Sequence, residues 1–246
     1  MPANHRTSLR RSLVTALTLA LMIGATVSAD ATPLALNSSL ESQGQGLSLE
    51  SGGVGLESLG NGSETLTVNI GGPVETATLY WAGRELVDCE NGSCFKPPNT
   101  EPFGDQELEF DSTSLTGTII GIEDTNNGSN IAYSADVTSI VDSAGTGAQS
   151  FTIEDGNLLN NIDRLLGAGL LVTYTDPAET QSYRVMVAEG ADFAFHPNPD
   201  RPSLTSENHV TAPVTFTYAA TAAAITAISS SASSEATSFA FFLFKA

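Results

Sequence analysis

Few residues in this chain combine a reactive side chain with a spacing that does chemistry. Trp81 is the single tryptophan. It closes the run Val74-Glu-Thr-Ala-Thr-Leu-Tyr-Trp81, and an indole at a strand end either stacks on a sugar ring or fills the space between two sheets. Asp124, Asn126 and Asn130 share one turn-like segment, Asp124-Thr-Asn-Asn-Gly-Ser-Asn130. Side-chain oxygens around a glycine bend are the hard ligands that calcium takes. The segment lacks the bidentate acid of an EF-hand, and Asn-Gly is also an ordinary hairpin turn. Cys89 and Cys94 flank Glu-Asn-Gly-Ser, which in an oxidising compartment reads as a small disulfide-closed loop. His196 and His209 sit near prolines or in polar surroundings, and no Gly-x-Ser-x-Gly follows Thr65 to supply a serine nucleophile. Nothing local selects two of the 28 acids as a glycosidase pair. The residues therefore predict no catalytic set and no cofactor, with calcium as the one metal that a local pattern offers.

Charge narrows the partners. The chain has 246 residues, nine basic and 28 acidic, for a net charge of −19. Its first 29 residues hold three arginines, Arg6, Arg10 and Arg11, and no acid. An apolar run from Leu13 to Ile23 follows, then Val27-Ser28-Ala29 with small residues where a signal peptidase cuts. The expected cleavage is between Ala29 and Asp30. The apolar run is shorter than the roughly 20 residues of a spanning helix, and Arg10-Arg11 leaves both general secretion and twin-arginine export open. Without the leader, six basic residues face 28 acidic ones. Nucleic acid and anionic bilayers are polyanions and are excluded as partners on that ground. No second apolar run is long enough for an integral membrane span. The expected location is secreted or cell-surface, with extracellular or surface components as partners, polysaccharide among them.

The elements that must position these residues are strands. Residues 30–63 are rich in Ser, Gly and Leu and read as a flexible leader with at most one early strand. From Thr65, Leu66, Val68 and Ile70 alternate with polar residues at period two. Gly71-Gly72-Pro73 separates this run from Val74–Trp81, which predicts two neighbouring antiparallel strands. Residues 84–106 read as a long polar loop. Strands are expected around Leu108–Phe110, 115–122, 131–134, 150–154, 167–174, 183–188 and 211–218, with 183–188 as the antiparallel partner of 167–174. Asp136 reads as the cap of one short helix near 137–144, stopped by Gly145. Residues 219–246 form an Ala/Ser-rich tail whose apolar end is either a buried last strand or the remnant of a cut reading frame. Many short strands with Gly/Pro/Asn turns predict an all-β fold, an antiparallel β-sandwich of jelly-roll-like type, over residues 64–218.

Three segments, Ala77-Thr-Leu-Tyr-Trp-Ala-Gly83, Tyr133-Ser-Ala-Asp-Val-Thr138 and Gly169-Leu-Leu-Val-Thr-Tyr-Thr-Asp-Pro177, occur in this order. Together they resemble the N-terminal β-sandwich region of large secreted or surface-displayed bacterial and archaeal proteins. The resemblance covers about residues 64–218. It implies an exported, non-enzymatic structural or adhesive module and supplies no catalytic residues. A carbohydrate- or calcium-binding accessory module is the alternative reading, and an extracellular glycan hydrolase the third.

Overall fold

The computed structural model describes residues 34–56, 63–86, 88–90, 93–95, 106–125, 128–155, 163–190, 193–194, 225–231 and 236–245. The expected signal segment with Ala29 and Asp30, the residue Asn126 and the expected strand 211–218 lie outside these. In chain order the strands are β1 (Ala35–Leu36), β2 (Ser42–Gln45), β3 (Leu47–Gly55), β4 (Ser63–Ile70), β5 (Val74–Leu86), β6 (Asp88–Glu90) and β7 (Ser93–Phe95). There follow β8 (Glu107–Phe110), β9 (Thr113–Thr116), β10 (Thr118–Thr125), β11 (Gly128–Asp136), β12 (Gly147–Asp155), β13 (Asp163–Thr175) and β14 (Ser182–Glu189). The last are β15 (Phe193–Ala194), β16 (Ile225–Ser231) and β17 (Ala236–Lys245). The one α-helix among the described residues, α1, runs over Thr138–Ala144, where the sequence predicts it. The fold is all-β, antiparallel and sandwich-like.

The central sheet has the order β10-β11-β5-β13-β3, and a second sheet has the order β4-β12-β8-β9. These two face one another. Leu66, Val68, Ile70, Phe110, Phe151 and Ile153 from one side meet Leu79, Trp81, Ile131, Tyr133, Leu170 and Val172 from the other. Alternation puts these residues on one face of each strand, so burial of one face fixes the register. Phe110 and Phe151 stack with ring centroids 5.1 Å apart. Val137, just before α1, and Val141 within it belong to this interior. The cap position is held by Val137, without a side-chain capping bond, one residue past the expected Asp136, which ends β11 and accepts the Thr138 N–H at 2.9 Å through Oδ1; Gly145, at φ +85°, ends the helix.

The opposite face of the central sheet is also buried. Leu47, Leu49, Tyr80, Ala82, Ala132, Leu166 and Leu171 pack with Val185 and Val187 of β14. Strand β14 belongs to a third sheet, paired with β1 and β2 on one flank and with β17 on the other. The protein therefore has three layers where two were expected. In β5 and β13 the even and odd positions are both apolar, as in a strand covered on both sides.

The observed pairing corrects three expectations. The segment 30–63 is not a leader throughout: β3 pairs with β13 over nine residues as an edge of the central sheet, and Leu47, Leu49 and Leu56 are buried. Its glycines serve close packing, since a Cβ at Gly52 would lie 2.6 Å from the Thr67 carbonyl of β4. The runs on either side of Gly71-Gly72-Pro73 are not a hairpin. Strand β4 pairs with β12, whereas β5 pairs with β11 and β13. The turn carries the chain from one sheet to the facing one, so that Ile70 and Ala77 meet across the interior. Pro73 accepts the Thr175 N–H at 2.9 Å and fastens the crossing. Likewise 183–188 does not pair with 167–174. Asp176-Pro177 opens a second crossing, in which Asp176 accepts the Glu179 N–H at 3.1 Å, and β14 lays its apolar face on the central sheet.

The segment 84–106 contains more order than a loop. Strand β5 continues to Leu86, and β6 and β7 form a small hairpin. In the tail, β16 and β17 pair with each other, and β17 pairs with β14 across Tyr183–Ala188.

Candidate functional site

Trp81 is fully buried on the inner face of β5. Its ring stacks on Tyr133 with centroids 5.6 Å apart and planes at 28°. Gly117, the crossing between β9 and β10, lies directly over it: a Cβ there would sit 2.4 Å from Trp81 Cζ2. An enclosed indole offers no face to a sugar, and this corrects the stacking assignment. The deciding signal was the period-two pattern of Ala77, Leu79 and Trp81 itself.

Strands β10 and β11 pair with Asp124 opposite Ser129 and Glu123 opposite Asn130. Two of the three calcium candidates, Asp124 and Asn130, therefore stand at positions in consecutive rows, on opposite faces of the sheet by strand alternation. Asn130 is a strand residue, 1% exposed. The register leaves two residues, Asn126 and Asn127, between the strands. Cys89 and Cys94 stand at directly opposed positions of the β6–β7 hairpin; their side chains lie outside the described residues.

The structure brings together two groupings that sequence reasoning missed. The first is a carboxylate held by two donors. Glu189, at the end of β14, accepts the Tyr80 hydroxyl at 2.7 Å and the Asn37 side-chain amide at 2.5 Å. Burial, and next the Glu189 charge, push the Tyr80 phenol far above its ordinary range. The pair joins all the packing partners of this face: β5 of the central sheet, β14, and the N-terminal segment, whose Asn37 N–H also donates to Val187 at 2.8 Å. Beside it is an open cleft of about 320 Å³ lined by Ala35, Leu36, Asn37, Ser38, Ile120 and Glu189. No sequence pattern links residues 37, 80 and 189, because the contact exists only once the third layer docks.

The second grouping is a row across four strands of the central sheet: Glu123 on β10, Asn130 on β11, Arg84 on β5 and Arg164 on β13 are successive register partners. The next row on the same face is Gly121, Ala132, Ala82 and Gly167. Asn130 Nδ2 is buried and has no hydrogen-bond partner among the described residues. Only the pairing scheme reveals this row, since its members are scattered over 81 positions of sequence from 84 to 164.

The chain belongs to the protein family described as "Protein of unknown function (DUF3344)", whose sequence profile matches residues 51–242. No curated protein and no solved structure matches the chain.

Proposed function

We propose, taking membership of this family as the premise, that the protein is an exported, non-enzymatic β-sandwich with a structural or adhesive role at the cell surface or in the extracellular matrix. The observation that carries the reading is the burial of the central sheet on both faces. In the middle of that sheet Tyr80, Trp81 and Tyr133 are fully buried, while Tyr174 of β13 is half-buried against the interior. What is left to meet other molecules is the outward faces of the covering sheets, whose strands alternate buried and exposed positions, together with strand edges and rims. The basic, then apolar, then small-residue order of residues 1–29 supports export, and the acidic balance supports a soluble surface that repels its own kind. Partners on this reading are extracellular or surface components, including polysaccharide.

The test uses the full chain carrying a C-terminal tag in a bacterial host. The expected product begins at Asp30 by mass spectrometry, lies outside the cytoplasm, and is retained on cell-wall or matrix polysaccharide without cleaving it. A cytoplasmic product that keeps Met1, or release of reducing sugar by the purified protein, overturns the proposal.

A further inference from the structure

Strand β14 ends in a carboxylate that the fold holds still but does not neutralise. Glu189 is half-buried. Its Oε1 accepts the Tyr80 hydroxyl at 2.7 Å and its Oε2 the Asn37 side-chain amide at 2.5 Å. Asn37 is itself fixed. Its backbone N–H donates to Val187 O at 2.8 Å, and its Oδ1 accepts the Ser39 N–H at 3.0 Å and the Ser39 hydroxyl at 2.6 Å. Tyr80 is fully buried, and its phenol holds its proton far above the ordinary range. Both donors to Glu189 are therefore neutral. A carboxylate offers about four lone-pair positions, so about two remain open. Arg184, the cation on the same strand, is paired with Glu41 instead. Among the described residues Glu189 has no positive partner, and taking a carboxylate partly out of water without one is unfavourable.

Beside this carboxylate the surface is apolar and concave. In the cleft of about 320 Å³, Ala35, Leu36 and Ile120 supply the apolar lining, and Ser38 and the Asn37–Glu189 pair complete it. Leu36 is 50% exposed, more than any other large apolar side chain among the described residues. Ile120 is the extra residue of a β-bulge, since the β10–β11 register skips it between Ile119 and Gly121. A bulge re-aims a side chain, and bulges collect beside functional sites. Among the described residues no aromatic ring lines the cleft, so it lacks a stacking platform for a sugar. An apolar lining beside a fixed negative charge fits a side chain with a methylene body and a cationic tip. Lysine is that side chain, and it buries its stem along apolar surface in this manner. Arginine fits less well. Its fork engages both carboxylate oxygens side by side, and here each oxygen already holds a donor. Beyond residue 29 six basic residues face 28 acidic ones, so a lysine-bearing partner is also drawn in by charge.

We propose that the Glu189 cleft is a binding site for one lysine side chain of a partner polypeptide, its methylenes against Leu36 and Ile120 and its ammonium on the Glu189 carboxylate. This goes beyond the structural or adhesive role by naming the chemistry of a partner. It does not need export to be correct, because it is read on the purified full chain.

The experiment follows the methyl signals of Leu36 and Ile120 by NMR in the isotope-labelled full chain. The titrants are Nα-acetyl-lysine amide, the same compound acetylated on Nε, Nα-acetyl-arginine amide, glucosamine and sodium chloride, with the charged ones at matched ionic strength. The expected result is a saturable shift with the lysine compound, weaker with the arginine compound and with glucosamine, and absent with the Nε-acetylated form and with chloride. Glu189→Gln keeps an oxygen for the Tyr80 hydroxyl but removes the charge, and should weaken the response about tenfold or more. Leu36→Ala, at an exposed position, should weaken the response at Ile120 about threefold or more. Trp81 emission, from the other interior, is the check on folding. If Glu189→Gln fails to fold, Leu36→Ala and the Nε-acetylated compound still decide. The proposal is overturned by the lack of a saturable response to the lysine compound, or by an equal response to its Nε-acetylated form or to chloride. An equal or stronger response to the arginine compound or to glucosamine overturns it too, as does a folded variant of either kind that responds as the wild type does.

Discussion

Replacing Gly117 by alanine probes the seam between the two facing sheets. The new methyl would sit 2.4 Å from Trp81 Cζ2, 2.6 Å from Cη2 and 2.8 Å from Tyr133 Cβ. Such distances are about an ångström short of the 3.5–4.0 Å optimum for carbon pairs, so something has to move. Trp81 is enclosed and stacked on Tyr133. The glycine backbone is held from both sides, since Gly117 N–H donates to Gln106 O at 2.8 Å and Gln106 Nε2 donates to Gly117 O at 2.8 Å. Overpacking of a well-filled core costs about 1–3 kcal/mol, and with both sides held we expect the upper half of that range. For a protein of this size each kcal/mol is worth roughly 2–4 °C, so the melting temperature should fall by about 4–12 °C. Urea unfolding followed by the emission of the sole tryptophan measures the loss. Trp81→Phe removes the indole atoms that the methyl strikes. The double variant, followed by circular dichroism, should therefore lose less than the two single variants together. A Gly117→Ala protein with unchanged melting temperature and emission would refute the packing described for this seam, as would strict additivity.

Phe151→Ala, which removes one ring of the stacked Phe110–Phe151 pair from the interior, should cost about 3–5 kcal/mol in the same urea assay. The raised Tyr80 phenol predicts alkaline sensitivity. Above the ordinary tyrosine value near 10 the unfolded chain releases this proton while the folded chain keeps it, so stability is full below that pH and falls above it. Denaturation midpoints measured across this range should fall less steeply in Tyr80→Phe, and parallel curves would count against the Tyr80–Glu189 contact. Calcium should not raise the melting temperature through Asp124, Asn126 and Asn130; a millimolar calcium effect that Asn130→Ala abolishes would contradict the β10–β11 register. Cys89 and Cys94, opposed in the β6–β7 hairpin, should resist thiol labelling in the chain refolded under oxidising conditions and then denatured, until a reductant is added.

Much of the secondary structure was legible because burial imposes period two on Leu66, Val68 and Ile70 and because Asp136 and Gly145 flank the helix. The pairing was not legible. A glycine–proline turn that reverses a strand and one that passes it to a facing sheet have the same composition, and only the layers decide between them. Residues 51–53 misled for a related reason: Ser51, Gly52 and Gly53 look like a linker, yet glycine at 52 is what lets β3 approach β4. At the level of sites, local spacing suggested Asp124, Asn126 and Asn130, while alternation separates Asp124 from Asn130.

Strand β14 draws its neighbours from both extremes of the described chain, β1 and β2 on one flank and β17 on the other. Two of the three layers can assemble from residues 47–175, but the remaining one is incomplete until β17 is made. Until Ala236–Lys245 arrives, β14 keeps one hydrogen-bonding edge bare, and that period is when a nascent copy is most open to pairing with a stranger. Removing β1 and β2, or β17, would expose an edge of the same strand.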